Sequence, residues 1–159
     1  MTIFPTQKFA ELETPFYYYD MDVLEETLCA IKKFTAPHPN YHVHYAIKAN
    51  ANPRIMQTIA QAGFGADCVS GGEVEAAHKA GFANTDIVFA GVGKSDREII
   101  TALNIGIHNF NVESLAELEV INELAKAMGK KAKVAFRINP NVDAHTHAKI
   151  TTGLNENKF

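Results

Sequence analysis

Five short apolar runs divide the chain, and most are followed by residues that start a helix. Residues 42–49, 65–69, 87–92, 108–112 and 133–139 read as strands. The second, third and fourth runs lead into Ser70-Gly71-Gly72-Glu73, Ser95-Asp96-Arg97-Glu98 and Ser114-Leu115-Ala116-Glu117. Each is an S-x-x-E capping box, in which the serine oxygen accepts from the amide three residues on and the glutamate reaches back to the serine's own N–H. After the first run Asn52 is placed to cap, with Pro53 at the first helical position. Helical patterns then run through 53–62, 72–80, 95–104 and 114–128, the last stopped by Gly129, and the fifth run halts at Pro140.

Strands separated by one helix each are βα units, and the crossover helix returns the chain to the same edge, so the sheet is parallel and the class α/β. Two closures compete, an open doubly wound sheet and a (β/α)8 barrel. Even unit length favours the barrel, as does the lack of a nucleotide fingerprint. Gly63-Phe64-Gly65 continues to Cys68 where a dinucleotide loop needs glycine, and Gly93-Lys94-Ser95 has Val88 where a phosphate loop needs its first glycine. A barrel uses eight strands and roughly 250 residues, so the five runs predict only the first five units. Phe16-Tyr17-Tyr18-Tyr19 reads as a separate short strand, followed by a helix from Met21 to Phe34 that ends at the Pro37-His38-Pro39 turn. The expected organisation is an N-terminal strand and helix over 1–35 and a partial barrel over 36–159.

Composition narrows the function classes. In 159 residues, 47% are apolar and 21% charged, with a formal net charge of -3, which excludes disordered and collagenous chains. Scattered lysines and the lack of tryptophan give no nucleic-acid groove. No apolar run approaches the roughly 20 residues of a membrane span, and the N-terminus lacks a signal-peptide pattern. A soluble cytoplasmic protein is expected, with neither nucleic acid nor membrane as partner. Cys29 and Cys68 are too few for a disulfide scaffold or a zinc site and read as reduced thiols in or near the core. His42-x-His44 and His145-x-His147 lack the spacing or company of recognised metal sites, so no metal is expected.

Ligand sites of parallel α/β folds lie at the carboxyl ends of the strands. Lys48, Asp67, Lys94, Asn111, Glu113, Arg137 and Asn139 all fall there. The strand period of two puts His42, His44, Ala46 and Lys48 on one face. A lysine directed into a barrel would have a depressed pKa and act as a nucleophile towards carbonyl compounds; the alternative is a strand-end amine reaching solvent. Asp67 reads either as a site carboxylate or as one satisfied by a neighbouring helix N-terminus, and Arg137 either as a site cation or as a paired rim arginine. Glu73, Glu98 and Glu117 read first as capping residues.

Tyr45-Ala46-Ile47-Lys48-Ala49-Asn50 resembles the Y-A-x-K-A-N signature of the fold-type III, pyridoxal-phosphate-dependent amino-acid decarboxylases. The resemblance continues through Asp67-Cys68-Val69-Ser70-Gly71-Gly72-Glu73, Lys94-Ser95, Asn111-Val112-Glu113-Ser114 and Arg137-Ile138-Asn139-Pro140. The closing segment, from Asn141-Val142-Asp143-Ala144-His145-Thr146-His147 to Lys158-Phe159, is most similar to the diaminopimelate-decarboxylating branch. The likeness covers residues 14 to 159. It implies a (β/α)8 barrel joined to a C-terminal β domain that the 16–19 strand would enter, and a homodimer with shared sites. It further implies pyridoxal 5'-phosphate held by Lys48 as a Schiff base, Asp67 near the cofactor and this lysine, and Arg137 near the pyridine ring and its phenolic oxygen. The activity implied is decarboxylation of the small amino acid meso-diaminopimelate to L-lysine, in lysine biosynthesis. The family's ring-stacking histidine, phosphate loop and substrate-binding residues would lie beyond Phe159, so the 159 residues alone are expected to be inactive. Ornithine, arginine or carboxynorspermidine decarboxylation on the same scaffold, a racemase, a non-catalytic pyridoxal-phosphate-binding barrel and an inactive fragment are the competing readings.

Overall fold

The computed structural model describes residues 4–142 and His145. Two helices, α1 (Thr6–Phe9) and α2 (Met21–Thr35), precede a parallel sheet of β1 (His44–Ala46), β2 (Gly65–Cys68), β3 (Ile87–Phe89), β4 (Asn109–Val112) and β5 (Val134–Phe136). Between consecutive strands lie α3 (Pro53–Gln61), α4 (Gly71–Ala80), α5 (Asp96–Ile105) and α6 (Leu115–Ala127). The five strands and the four helices between them match the expected ones in number, order and type, with ends displaced by a few residues.

Strand order decides between the two closures. A doubly wound sheet reverses at a switch point and carries helices on both faces, whereas here the order runs β1-β2-β3-β4-β5 without reversal. The side-chain alternation agrees. Ala66 and Cys68, Ile87 and Phe89, and Phe110 and Val112 are fully buried in one cluster with Val74, Ala77, Ile99, Ala102 and Ile121 of the helices. Asp67, Val88, Asn109 and Asn111 alternate with them on the other face and are only half-buried. Parallel pairing sets Ala46, Asp67, Val88 and Asn109 in one row across four strands. One face against helices and one polar face towards an interior is the layout of a (β/α) barrel. Among the described residues β1 and β5 are the edges of the sheet.

The helix starts follow from the sequence with one refinement. Asn52 Oδ1 accepts from Arg54 N at 3.0 Å, beside Pro53. Ser70 Oγ and Ser114 Oγ accept from Glu73 N and Glu117 N at 3.3 and 3.2 Å. The returning glutamates differ: Glu98 Oε2 takes the amide of its own cap, Ser95, at 2.9 Å. Glu73 and Glu117 instead take the amides one residue earlier, Val69 at 2.7 Å and Glu113 at 2.9 Å. The difference tracks the cap backbone: Ser70 and Ser114 are fully extended at φ -149° and -154°, against -80° for Ser95, which turns the preceding amide towards the helix.

Two expectations need correction. The apolar pattern predicts the first strand over 42–49, yet it ends at Ala46, and Ile47–Ala49 form a single 3-10 turn. Tyr45 Oη donates to the Asn50 carbonyl at 3.0 Å and Asn50 Oδ1 accepts from Asn52 N at 2.9 Å, bonds that curl the chain and drive Ile47 into the core. Burial pushes the Tyr45 phenol above its usual pKa, the Asn50 bond partly opposing it, so it stays a neutral donor. Phe16–Tyr19, expected to enter a β domain, runs outside any ladder among the described residues. Its surroundings are rings rather than strand backbone: Phe9 packs on Phe16 and Tyr18 at 5.3 and 5.1 Å, Tyr17 stacks on Tyr19, and Tyr19 Oη accepts from Asn50 Nδ2 at 3.0 Å. The second correction is Cys29, which is exposed, on the outer face of α2, while Cys68 is buried. The inner stripe of α2 does meet the core, through Leu28 with Leu24 and Ile31. Among the described residues no helix is long and apolar enough to cross a membrane.

Candidate active site

All five strands send residues to one cleft at their carboxyl ends. Its volume is about 450 Å³, and it is lined by Lys48 after β1, Asp67 of β2, Ala90 after β3, Asn111 and Glu113 at the end of β4, and Arg137 after β5. The three residues singled out in the sequence, Lys48, Asp67 and Arg137, therefore line one cleft. The cleft lies within the range of small-molecule sites, about 300 to 1,000 Å³.

Lys48 reaches the cleft from the 3-10 turn rather than by strand alternation, because β1 ends two residues before it. It is exposed among the described residues, so these residues do not supply the burial expected of it. Asp67 stands in β2 between the buried Ala66 and Cys68 and faces the opposite way. The pocket mouth is thus polar on a strand whose other face is core.

Arg137 is anchored. Its Nη1 donates to both carboxylate oxygens of Glu113, each at 3.1 Å. The Glu113 side chain is 3% exposed and that of Arg137 35%, so the guanidinium stands between a buried carboxylate and the open cleft. Glu113 Oε1 also accepts from Gly91 N at 3.1 Å. The paired-arginine reading of Arg137 and its place in the cleft are therefore both true. The sequence places Glu113 on the rim but does not show this pairing; the available signal is that both residues immediately follow adjacent parallel strands.

Lys94, which the sequence places with the others at the strand ends, does not line the cleft. Its side chain is 1% exposed, and Nζ donates to Glu117 Oε1 at 2.6 Å, to the Gly91 carbonyl at 2.7 Å and to the Asn111 carbonyl at 2.9 Å. Three donors meet three acceptors, so the ammonium is a buried pin between β3, β4 and α6. The capping glutamates also act across units, since Glu98 Oε1 accepts from Gly71 N at 2.7 Å.

Near the cleft, burial first, then the charges of Glu73 and Asp67, push the Cys68 thiol up to about 12, leaving it inert as a nucleophile. Among the described residues no group of three or more His, Cys, Asp or Glu is placed to hold a metal ion. Asp143, Ala144 and residues 146–159, which carry most of the segment read as similar to the diaminopimelate-decarboxylating branch, lie outside the described residues.

Residues 24–159 match the family described as pyridoxal-dependent decarboxylase, pyridoxal binding domain. The diaminopimelate decarboxylase of Bacteroides thetaiotaomicron is 64% identical over 157 residues, 99% of this chain and 41% of that protein. That of Helicobacter pylori (strain J99) is 47% identical over 95% of the chain and 37% of its own length. The crystal structure of diaminopimelate decarboxylase from Helicobacter pylori complexed with L-lysine superposes with a TM-score of 0.87 at 45% identity, covering 96% of this chain and 38% of that one. The chain thus spans about two fifths of the length of these relatives. With a parallel (β/α) sheet and a cleft at its carboxyl ends, and with the family match extending over most of its length, the chain belongs to the pyridoxal-dependent decarboxylases, in their pyridoxal-binding domain.

Proposed function

We propose that this chain forms the cofactor-binding part of a diaminopimelate decarboxylase, which converts meso-diaminopimelate to L-lysine and carbon dioxide. The observation that carries the reading is the convergence of Lys48, Asp67 and the Glu113–Arg137 pair on one cleft, in a chain 64% identical to a protein of that name. We assign Lys48 as the catalytic lysine, with Lys48, Asp67 and Arg137 as the residues that hold pyridoxal phosphate. The donor set fits that group: an accessible primary amine can condense with an aldehyde, a guanidinium can face anionic oxygen, and a carboxylate can accept from a protonated nitrogen.

When bound, pyridoxal phosphate supplies the electron sink into which the electrons of a departing carboxylate pass. The chain's own residues set the conditions. Lys48 offers Nζ at the cleft surface, where it can take up or release a proton as a carbonyl partner joins or leaves. Arg137, held from behind by Glu113, keeps a fixed positive charge on the wall, which favours anionic groups without a reorganisation cost. Asp67 supplies a negative charge in the same cleft and can hold a proton on a neighbouring nitrogen.

The proposal includes a homodimer in the cytoplasm and a division into an N-terminal segment over 1–35 and barrel units over 36–159, the 16–19 segment docking on a β domain. The test uses the chain expressed with the coding sequence that flanks it in its gene. Carbon dioxide release from meso-diaminopimelate should exceed that from ornithine and arginine at equal concentration, and borohydride reduction should leave a pyridoxyl mass on the peptide containing Lys48. Faster turnover of ornithine or arginine would move the protein to a sister activity. A label on Lys94 would remove Lys48 from its role.

A further inference from the structure

We propose that Glu113 is a positioning residue for the cofactor cleft, acting through Arg137; the inference rests on the reading of that cleft as the pyridoxal phosphate site. Its carboxylate ties together three consecutive units. It follows β4, accepts from Gly91 N in the loop after β3, and holds Arg137 Nη1 after β5 with both oxygens. The side chain is 3% exposed and lines the cleft from beneath. A carboxylate so removed from water is costly unless charge-paired and hydrogen-bonded. Arg137 supplies the charge and Gly91 a further donor.

The arrangement holds Nη1 of the guanidinium against both oxygens of a buried carboxylate. An arginine extending from a strand end has several rotatable bonds, and its contribution to binding an anionic group depends on how much of that freedom is already lost before the ligand arrives. Glu113 removes it. Lys94 contributes nothing comparable, because its ammonium is consumed by Glu117 and two carbonyls and is closed off from the cleft. Lys94 and Arg137 are therefore divided: the first holds the scaffold, the second is held in the cleft by its carboxylate.

A double-mutant cycle on pyridoxal phosphate affinity tests this in the protein expressed with its flanking coding sequence. Glu113→Gln, Arg137→Gln and the double variant are titrated by absorbance, and the pH dependence of the bound cofactor's absorbance is followed in each. Glu113→Gln is expected to weaken affinity about tenfold, the coupling typical of groups in direct contact, and to shift that pH dependence. In the Arg137→Gln background it should do neither. Lys94→Met is the control that lowers stability without altering the spectrum. Multiplicative losses in the cycle, or unchanged affinity in Glu113→Gln, would overturn the proposal. If Glu113→Gln does not fold, Arg137→Lys, which keeps the charge but loses the planar guanidinium, must show the same weakening, and wild-type affinity there overturns it as well. Failure of the underlying reading looks different: unsubstituted protein that binds the cofactor but ignores meso-diaminopimelate refutes the substrate and leaves the cycle to decide, while unsubstituted protein that binds no cofactor refutes both.

Discussion

Lys94 Nζ lies 2.6 Å from Glu117 Oε1 with both side chains almost wholly out of water, joining the loop after β3 to the first turn of α6. The same ammonium sits 5.4 Å from the centre of the Phe89 ring. Removing one member strands the other as a buried charge, the expensive case for an ion pair. Lys94→Met should cost about 3 kcal/mol of unfolding free energy in urea. Lys94→Met combined with Glu117→Leu should recover part of that loss. A single-variant loss near zero would show the pair to be energetically idle.

Gly91 is required by its backbone. Its φ is +104°, and a Cβ would lie 3.0 Å from the Val69 carbonyl oxygen, a backbone atom that cannot swing away. Its amide is also the one held by Glu113. Gly91→Ala should lower stability by about 1 to 3 kcal/mol and weaken pyridoxal phosphate binding, because the displaced amide releases Glu113. Thermal melting and cofactor titration check the two effects separately. At Gly93, in the same loop, an added Cβ would meet nothing within 4 Å and φ lies outside the left-handed region, so Gly93→Ala should leave both nearly unchanged.

Acid should weaken the contact between α4 and α5. Hydrogen bonds from Ser95 N and Oγ, and then from Gly71 N, hold the Glu98 carboxyl below its ordinary pKa. A carboxylate with a depressed folded-state pKa contributes stability above its unfolded value, near 4.3, and loses that contribution as pH falls through the folded value. The stability curve should therefore bend downwards on acidification below about pH 4.3. In Glu98→Gln, which cannot titrate, that part of the slope should disappear in urea midpoints measured across the acid range, from about pH 3 to 6.

The two thiols should react unequally. Cys29 is exposed, while Cys68 is buried with its thiol pushed up to about 12. Iodoacetamide at neutral pH should add one label to native protein, on Cys29, and a second only in denaturant. Mass mapping of the peptides distinguishes the two. Rapid native labelling of Cys68 would mean that the sheet–helix core opens far more readily than its packing implies.

The order and type of the βα units were legible because they rest on local physics. Apolar runs of strand length, serines and an asparagine at helix starts, and Gly129 after the last helix each act within a few residues of themselves. So was the set of polar groups at the strand ends, since a parallel sheet sends every such end to one side. The alternation that buries Cys68 and turns Asp67 towards the cleft follows from the pleat alone.

Pairing across units was decided only in three dimensions. Lys94 and Arg137 look alike in sequence, each a cation just past a strand. Lys94 meets Glu117 from a separate helix and two carbonyls, and is buried as a pin; Arg137 meets Glu113 after the neighbouring strand and keeps one side towards the cleft. No periodicity encodes that choice, because it depends on the distance between side chains 23 or 24 positions apart. Lys48 likewise reaches the cleft through a turn closed by Tyr45 and Asn50, where alternation alone would continue the strand. Sequence by itself determined which groups gather at the carboxyl ends of the sheet. The tertiary structure decided which of them are spent on holding the fold and which are presented to a ligand, because a buried charge must find its partner in space before any is left for chemistry.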